Sequence, residues 1–232
     1  LSLAPPPSAP AASPACPITG VRQASAGEAV KTWRFAALWF MLFTNITCGI
    51  GLLSVLSPLA QESAKMSPLA AAAMVGVVGL VNGLGRLIWA SASDWLGRAA
   101  TYTAFFLIQI FAFFLLAKTA DPVLFQLLVY LIISCYGGGF ATIPAFLSDL
   151  FGTRDLSAIH GRILTAWAAA GVAGPFIVAR LRETTAGYAG TLAAFALFFT
   201  LALAVALYLQ HKQRPAASAA WRPLREQTKT TG

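Results

Sequence analysis

Six long apolar segments dominate this sequence of 232 residues. A hydrocarbon core of roughly 30 Å is crossed by about 20 helical residues, and each segment is close to that length or exceeds it. The runs are continuously apolar and do not alternate at every second position, which excludes the strands of a membrane barrel. The sequence therefore predicts an all-α integral membrane protein with six transmembrane helices. We expect these helices at about residues 35–56, 67–91, 100–117, 122–147, 157–178 and 187–209.

Residues typical of helix ends mark several of these boundaries. Ser67 is predicted to cap the second helix, with Pro68 at its first position, where a missing N–H costs nothing. Asp121 is predicted to start the fourth helix and Ser157 to cap the fifth. The first helix is expected to stop before Pro58.

The two ends of the chain differ in composition from its middle. Residues 1–31 are rich in Pro and Ala and have no apolar core behind a basic start, so we interpret them as a cytoplasmic linker and not as a signal peptide. Residues 32–210 form the predicted six-helix transmembrane domain, and residues 211–232 a basic cytoplasmic tail. The chain begins with Leu1 and not with Met, which fits a fragment of a longer protein.

The charge balance indicates a topology rather than a nucleic-acid partner. Only 10% of residues are charged and the mean hydropathy is +0.72, whereas a soluble domain has about 25% charged residues. Of the sixteen Lys and Arg residues, eleven fall on the N-terminal side of the membrane, four on the other side and one deep inside the second predicted helix. Basic residues concentrate in cytoplasmic loops, so we expect both termini in the cytoplasm and the protein in a plasma membrane, the inner membrane if bacterial.

One basic residue, Arg86, lies inside the second predicted helix. It is eight residues before Asp94, about 12 Å along the helix from that end. An arginine at such depth costs about 2.5–3.5 kcal/mol, so it should face protein or a water-filled cavity. No Asp or Glu occurs in the middle of any predicted helix. Arg86 is therefore a candidate receptor for a carboxylate, which its guanidinium can bind through two parallel hydrogen bonds. The alternative is that Arg86 pairs with backbone carbonyls or with an acid on another chain.

Weaker signals surround this arginine. Asn82 is one turn earlier on the same helical face, and Asn45 interrupts the first apolar run as either a cavity residue or a packing residue. Tyr136 precedes three glycines in the fourth helix, and Trp167 lies in the fifth. We predict that Arg86, Asn82, Asn45, Tyr136 and Trp167 contact the substrate.

Two stretches resemble the oxalate:formate antiporter family of the major facilitator superfamily. Asn82–Arg98 contains NGLGR followed by DWLGR, and Asp149–Trp167 runs from DLFGTR to LTAW. Gly51–Pro58 is similar to the same family at the end of its first helix. The resemblance extends over about residues 28–210.

This resemblance implies a secondary transporter of two six-helix halves, of which this chain matches the C-terminal half. Its partners would be the lipid bilayer, a small carboxylate anion and the N-terminal half, and the substrate would bind between the halves during alternating access. Arg86 matches the arginine with which the family's oxalate carrier holds its substrate. That carrier also has a lysine in its penultimate helix, but Ile163–Ile177 here contains no Lys or Arg. We therefore favour a monocarboxylate such as formate, lactate or pyruvate over oxalate. We also expect that the chain alone inserts but does not transport.

The charged loops at the predicted cytoplasmic ends are candidates for gating. Asp94 lies at a helix C-terminus, where the helix dipole disfavours an acid, so we expect it to be held by a basic neighbour or by the N-terminus of another helix. The resemblance implies that such loop charges hold helix ends together. Arg154 and Arg162, in the next cytoplasmic loop, are the candidate partners of Asp94. The predicted gating residues are Asp94, Gly97, Arg98, Asp149 and Arg154.

Other classes of membrane protein fit the sequence less well. An intramembrane serine protease would need a histidine deep in a helix, and neither His160 nor His211 is so placed. A channel or the six-helix permease subunit of an ATP-driven transporter stays an alternative. The cysteines follow no metal-binding spacing. We predict a protein that is not an enzyme, with no catalytic residue, no metal site, no cofactor and no nucleic-acid partner.

Overall fold

The computed structural model describes residues 23–185 and 187–220, and it is helical throughout these ranges apart from short turns. Within them the chain forms nine helices, which are α1 (Ala26–Ala29), α2 (Trp33–Ser54), α3 (Leu56–Ser63), α4 (Pro68–Leu96), α5 (Arg98–Leu116), α6 (Pro122–Phe151), α7 (Leu156–Ile163), α8 (Thr165–Thr184) and α9 (Ala189–Ala220).

Six segments of the described chain are long and apolar enough to cross a membrane, which confirms the predicted fold class. Five of them lie in the single helices α2, α4, α5, α6 and α9. The fifth in chain order combines α7 and α8, which are separated only by Leu164.

Two of the predicted helix starts are confirmed. The Ser67 hydroxyl accepts a hydrogen bond from the backbone N–H of Ala70, and Pro68 is the first residue of α4. The Asp121 carboxylate accepts from the N–H of Leu124 at the start of α6, at 2.7 Å. Both side chains satisfy a backbone donor that the first helical turn leaves free.

Of the two other predicted boundaries, the cap is wrong and the helix end is confirmed. Ser157 does not cap the fifth span, because α7 already begins at Leu156, after Asp155. The first helix does stop before Pro58, as predicted, although Pro58 is not the residue that ends it. The chain breaks at Val55, and Pro58 lies in the first turn of α3, where proline removes no intrahelical hydrogen bond. Most of the remaining helix ends extend a few residues beyond the predicted limits.

The centre of the bundle is α2, which packs against α6, α8 and α9. Around it, α4 packs mainly on α6, and α5 packs mainly on α9. Phenylalanine rings join the latter pair: Phe113 contacts Phe195 and Phe199 with ring centroids 5.6 Å apart in each case. In contrast, α4 and α8 each expose a broad apolar side.

The segment before α2 is bound to the turn between α6 and α7. The side-chain carbonyl of Gln23 accepts hydrogen bonds from the N–H groups of Thr153 and Arg154, both at 3.0 Å. The Asp155 carboxylate accepts from the N–H of Ala26 at 3.1 Å. Gly152 has a φ of +81°, and a Cβ atom there would collide with Gln23. The end of the predicted linker is therefore part of the folded bundle. At the other end of the chain, α9 continues to Ala220, past the predicted limit at residue 210.

Candidate functional site

Glycines in α6 let α4 approach it at very short distance. A Cβ atom at Gly138 would lie 2.6 Å from the Cβ of Trp89, and one at Gly137 would collide with Asn82. On the other side of the contact, a Cβ atom at Gly85 would lie 2.5 Å from the carbonyl oxygen of Ser134. The three glycines that follow Tyr136 therefore give close helix packing, and α6 is continuous through them.

This close packing places Arg86 of α4 beside the aromatic side chains of α6. Arg86 is about 15 Å along the helix from the last residue of α4. Its guanidinium carbon lies 5.6 Å from the centre of the Phe140 ring. Within the described residues, Arg86 forms no ion pair and donates no hydrogen bond, and its side chain is exposed on the surface of the bundle. The alternative pairing with backbone carbonyls of this chain is not observed there.

Phe140 is the centre of a small aromatic cluster beside Arg86. Tyr136 is one turn earlier on α6, and its ring contacts Phe140 edge-on, with centroids 6.4 Å apart. Trp167 of α8 contacts Phe140 in the same way at 6.1 Å, and half of Trp167 is exposed. We call Arg86, Tyr136, Phe140 and Trp167 the arginine–aromatic cluster. Three of its four members are predicted site residues, brought together from α4, α6 and α8.

Asn45 is placed differently from the other predicted site residues. It is completely buried in α2. Its amide donates to the carbonyl of Tyr136 at 3.3 Å, and its carbonyl accepts from the amide of Gln109 at 3.0 Å. A side chain with no exposed surface and with both ends hydrogen-bonded cannot reach a ligand in this conformation. The structure therefore supports the packing interpretation of Asn45, in which it joins α2, α5 and α6.

Asn82 lies at the α4–α6 contact and is half-buried. Its side-chain oxygen is enclosed against Gly137 and has no hydrogen-bond donor within the described part of the chain. Asn82 is thus close to Arg86 in the helix, but its oxygen is not on the exposed surface where Arg86 lies.

Arg98 connects three helix ends at one face of the bundle. It forms an ion pair with Asp94 and a hydrogen bond with Ser93, both at the end of α4. Its Nε atom is also 3.7 Å from a carboxylate oxygen of Asp149, near the end of α6. Gly97 makes the sharp turn between α4 and α5 with a φ of +85°, a conformation that favours glycine. Four of the five predicted gating residues therefore meet at this face.

Arg154 is not the partner of Asp94 in this structure. Its Nε atom is 3.4 Å from a carboxylate oxygen of its neighbour Asp155, which also accepts from Ala26. Asp94 instead pairs with Arg98, four residues later in sequence, because Gly97 turns the chain back on itself. Asp94 thus has a basic neighbour, as expected, but neither predicted candidate, Arg154 or Arg162, pairs with it among the described residues.

Two features of the structure were missed by the sequence analysis, one in the arginine–aromatic cluster and one elsewhere in the bundle. Phe140 could have been found, because its spacing of four residues from Tyr136 places both rings on one helical face. The other is an ion pair at the opposite face of the bundle, where Arg182 of α8 donates to both carboxylate oxygens of Glu62 at 2.6 and 3.3 Å. These residues are 120 positions apart, and no local pattern could have paired them.

The comparison with known protein families agrees with this architecture. A family model described as Major Facilitator Superfamily matches residues 3–175. The chain belongs to the major facilitator superfamily. Membership in this superfamily points to a membrane-embedded transporter rather than to an enzyme.

A curated relative has a more specific name. The oxalate:formate antiporter of Oxalobacter formigenes is 28% identical to this chain over 155 residues, which are 65% of this chain and 36% of the relative. The chain thus corresponds to little more than a third of that protein's length. This similarity supports the resemblance to the oxalate:formate antiporter family that the NGLGR and DLFGTR segments indicate.

Proposed function

We propose that this superfamily member forms part of a secondary transporter for small carboxylate anions and that Arg86 binds the anion. The observation that carries the proposal is the arginine–aromatic cluster. A guanidinium on the middle part of a membrane helix has no anionic partner within the described residues and lies against aromatic rings. The relative of this chain from Oxalobacter formigenes is named an oxalate:formate antiporter, and oxalate and formate are both small carboxylates.

The surroundings of Arg86 favour a bound anion over a purely structural role. A desolvated guanidinium is costly in a membrane unless a partner of opposite charge compensates it. Phe140 contributes a cation–π contact, which is worth about 0.5–2 kcal/mol depending on solvation. That contact leaves the N–H groups of the guanidinium without acceptors, and a carboxylate would satisfy two of them at once.

The charge of the cluster favours a monocarboxylate. One cation neutralises one carboxylate, and the aromatic rings of Phe140 and Trp167 offer an apolar surface to the rest of the molecule. The interior of the α7–α8 span, Ile163–Ile177, supplies no second cation. Formate, lactate and pyruvate fit this pattern better than oxalate, which would leave one carboxylate unpaired.

We further propose that the substrate is enclosed by a second six-helix half and moved by alternating access, as in two-halved transporters. The exposed position of Arg86 supports this proposal. A cation that binds a ligand within the membrane needs a second surface to cover the site, and the second half would supply that surface. The distribution of basic residues supports a plasma-membrane protein with both ends of this chain in the cytoplasm.

The test compares three arginine variants in the complete protein. Arg86→Gln should fold and insert but lose the increase in thermal stability that formate, lactate or pyruvate gives the parent protein. Arg86→Lys keeps the charge but not the paired N–H groups, so it should transport poorly. Arg180→Gln is the matched control, because this exposed arginine pairs locally with Glu183 at 2.8 Å and lies outside the cluster.

Counterflow assays with labelled formate, lactate, pyruvate and oxalate then decide the substrate. Normal transport by Arg86→Gln would contradict the anion site. Exchange of oxalate alone would contradict the preference for monocarboxylates while leaving the anion site intact.

A further inference from the structure

An aromatic pair joins the beginning of α2 to the last turns of the α9 span. The ring of Trp33, the first residue of α2, contacts the ring of Tyr208 edge-on with centroids 5.3 Å apart. Both side chains are substantially exposed, Trp33 by 44% and Tyr208 by 54%. Tyr208 lies four residues before the end of the membrane-spanning part of α9, at Lys212. The end of a membrane-spanning segment is expected at the membrane surface, where tryptophan and tyrosine are enriched.

One basic side chain lies near the aromatic pair, and two others are close to it in sequence. The Lys212 ammonium lies 5.7 Å from the centre of the Tyr208 ring. Lys31 and Arg34 are close to Trp33 in sequence, and both are exposed. Within the described part of the chain none of these three cations forms an ion pair. The end of this two-helix seam thus carries two amphipathic rings, one cation near the Tyr208 ring, and two further cations within two residues of Trp33.

This combination matches the chemistry of a phospholipid. The headgroup phosphate is an anion at the depth of the basic side chains, and the glycerol and upper acyl region lies at the depth of the rings. Long basic side chains extend along apolar surface and keep their charge at this level. We propose that Lys31, Trp33, Arg34, Tyr208 and Lys212 form a binding site for the headgroup of an anionic phospholipid at the α2–α9 seam.

The opposite end of the bundle offers a comparison within the same chain. Lys118 also lies over an aromatic ring, 4.0 Å from the centre of Phe114, and is exposed. It has one ring rather than two, and Asp121 follows three residues later. Lys118 is therefore a matched lysine that lacks the second ring and the additional cations of the proposed site.

The experiment measures bound lipid directly and does not depend on transport. The complete protein is purified after exposure to mixed phosphatidylglycerol and phosphatidylcholine, and retained lipids are counted by native mass spectrometry. Each surface cation contributes a free energy that corresponds to about fivefold in affinity for an anionic lipid. Lys212→Gln should lower phosphatidylglycerol retention by about that factor, and adding Arg34→Gln should lower it further. Lys118→Gln should leave it unchanged.

A variant that keeps the charge tests the rings. Trp33→Leu should also reduce phosphatidylglycerol retention, because it removes the interfacial ring and preserves all three cations. Equal melting temperatures of all variants in phosphatidylcholine alone would exclude loss of folding as the cause. The proposal is overturned if Lys118→Gln loses as much lipid as Lys212→Gln, or if the Lys212→Gln/Arg34→Gln double variant retains phosphatidylglycerol like the parent.

Discussion

At the scale of single residues, burial and hydrogen-bond partners separate two polar side chains that the sequence presents alike. Asn45 and Arg86 both interrupt apolar helices. Asn45 is fully buried between two partners, whereas Arg86 is exposed and has no anionic partner among the described residues. A buried and satisfied side chain stabilises the bundle, while an exposed and unpaired cation is available to a ligand.

The first prediction concerns Asn45. Asn45→Ala removes the hydrogen bond from Gln109, whose other side-chain atom already lacks a partner in the described structure. We expect a loss of about 1 kcal/mol in stability, since hydrogen bonds between membrane helices are individually modest. Anion affinity should stay unchanged. Melting temperature and ligand-induced stabilisation, measured on the same preparation, separate the two effects.

A double-mutant cycle checks the assignment. Gln109→Ala combined with Asn45→Ala should cost less than the sum of the two single variants, because both remove the same contact. If Asn45→Ala instead abolishes anion binding and leaves the melting temperature unchanged, Asn45 belongs to the substrate site.

At the scale of helices and loops, the sequence predicted which membrane helices exist better than it predicted where each of them begins and ends. Apolar length identifies a membrane helix, and the side chains of Ser67 and Asp121 act locally, so both starts were predictable. Pro58 was ambiguous because proline both ends helices and begins them. The docking of Gln23 on the α6–α7 turn depends on residues about 130 positions apart, which no local pattern reveals.

The candidate site was predictable to a similar extent. Arg86 was identified from its charge alone, and Tyr136 and Trp167 are brought to it by packing of α4, α6 and α8. A basic neighbour was expected for Asp94, but the candidates Arg154 and Arg162 were wrong, because the turn at Gly97 brings Arg98 next to Asp94. Sequence spacing limits which residues can form an ion pair, but the side-chain geometry decides which of them do.

The second prediction concerns the three helix ends joined by Arg98. Arg98→Gln removes the ion pair with Asp94 and the contact with Asp149 at once. If this junction holds one state of the transport cycle, the variant should change the accessibility of single-cysteine labels at the ends of α4 and α6, and transport should fall severalfold. Arg154→Gln is the control, since its ion pair is with the adjacent Asp155 and is exposed. Equal effects of both variants on labelling and transport would contradict a special role for Arg98.

At the scale of the whole molecule, α4 has one side that the described part of the chain leaves uncovered. A Cβ atom at Gly76, Gly79 or Gly83 would meet nothing within 4 Å. On the other side of the same helix, Gly85 packs tightly on α6. Small residues in membrane helices allow close approach of another helix. The open glycines lie on the helix that carries Arg86, which is the arrangement expected if the proposed second half closes over the site.

The last prediction tests that second half. Gly79→Leu should leave the melting temperature of this chain expressed alone unchanged, because the added side chain meets open space. In the complete protein the same change should lower stability by about 1–3 kcal/mol through overpacking and reduce transport, if the other half packs here. Ala204→Leu is the matched control, since Ala204 is an exposed small residue of α9 beside the exposed Leu201 and Leu207. It should be tolerated in both forms. Normal stability and transport of the complete Gly79→Leu protein would show that the second half does not cover this side of α4.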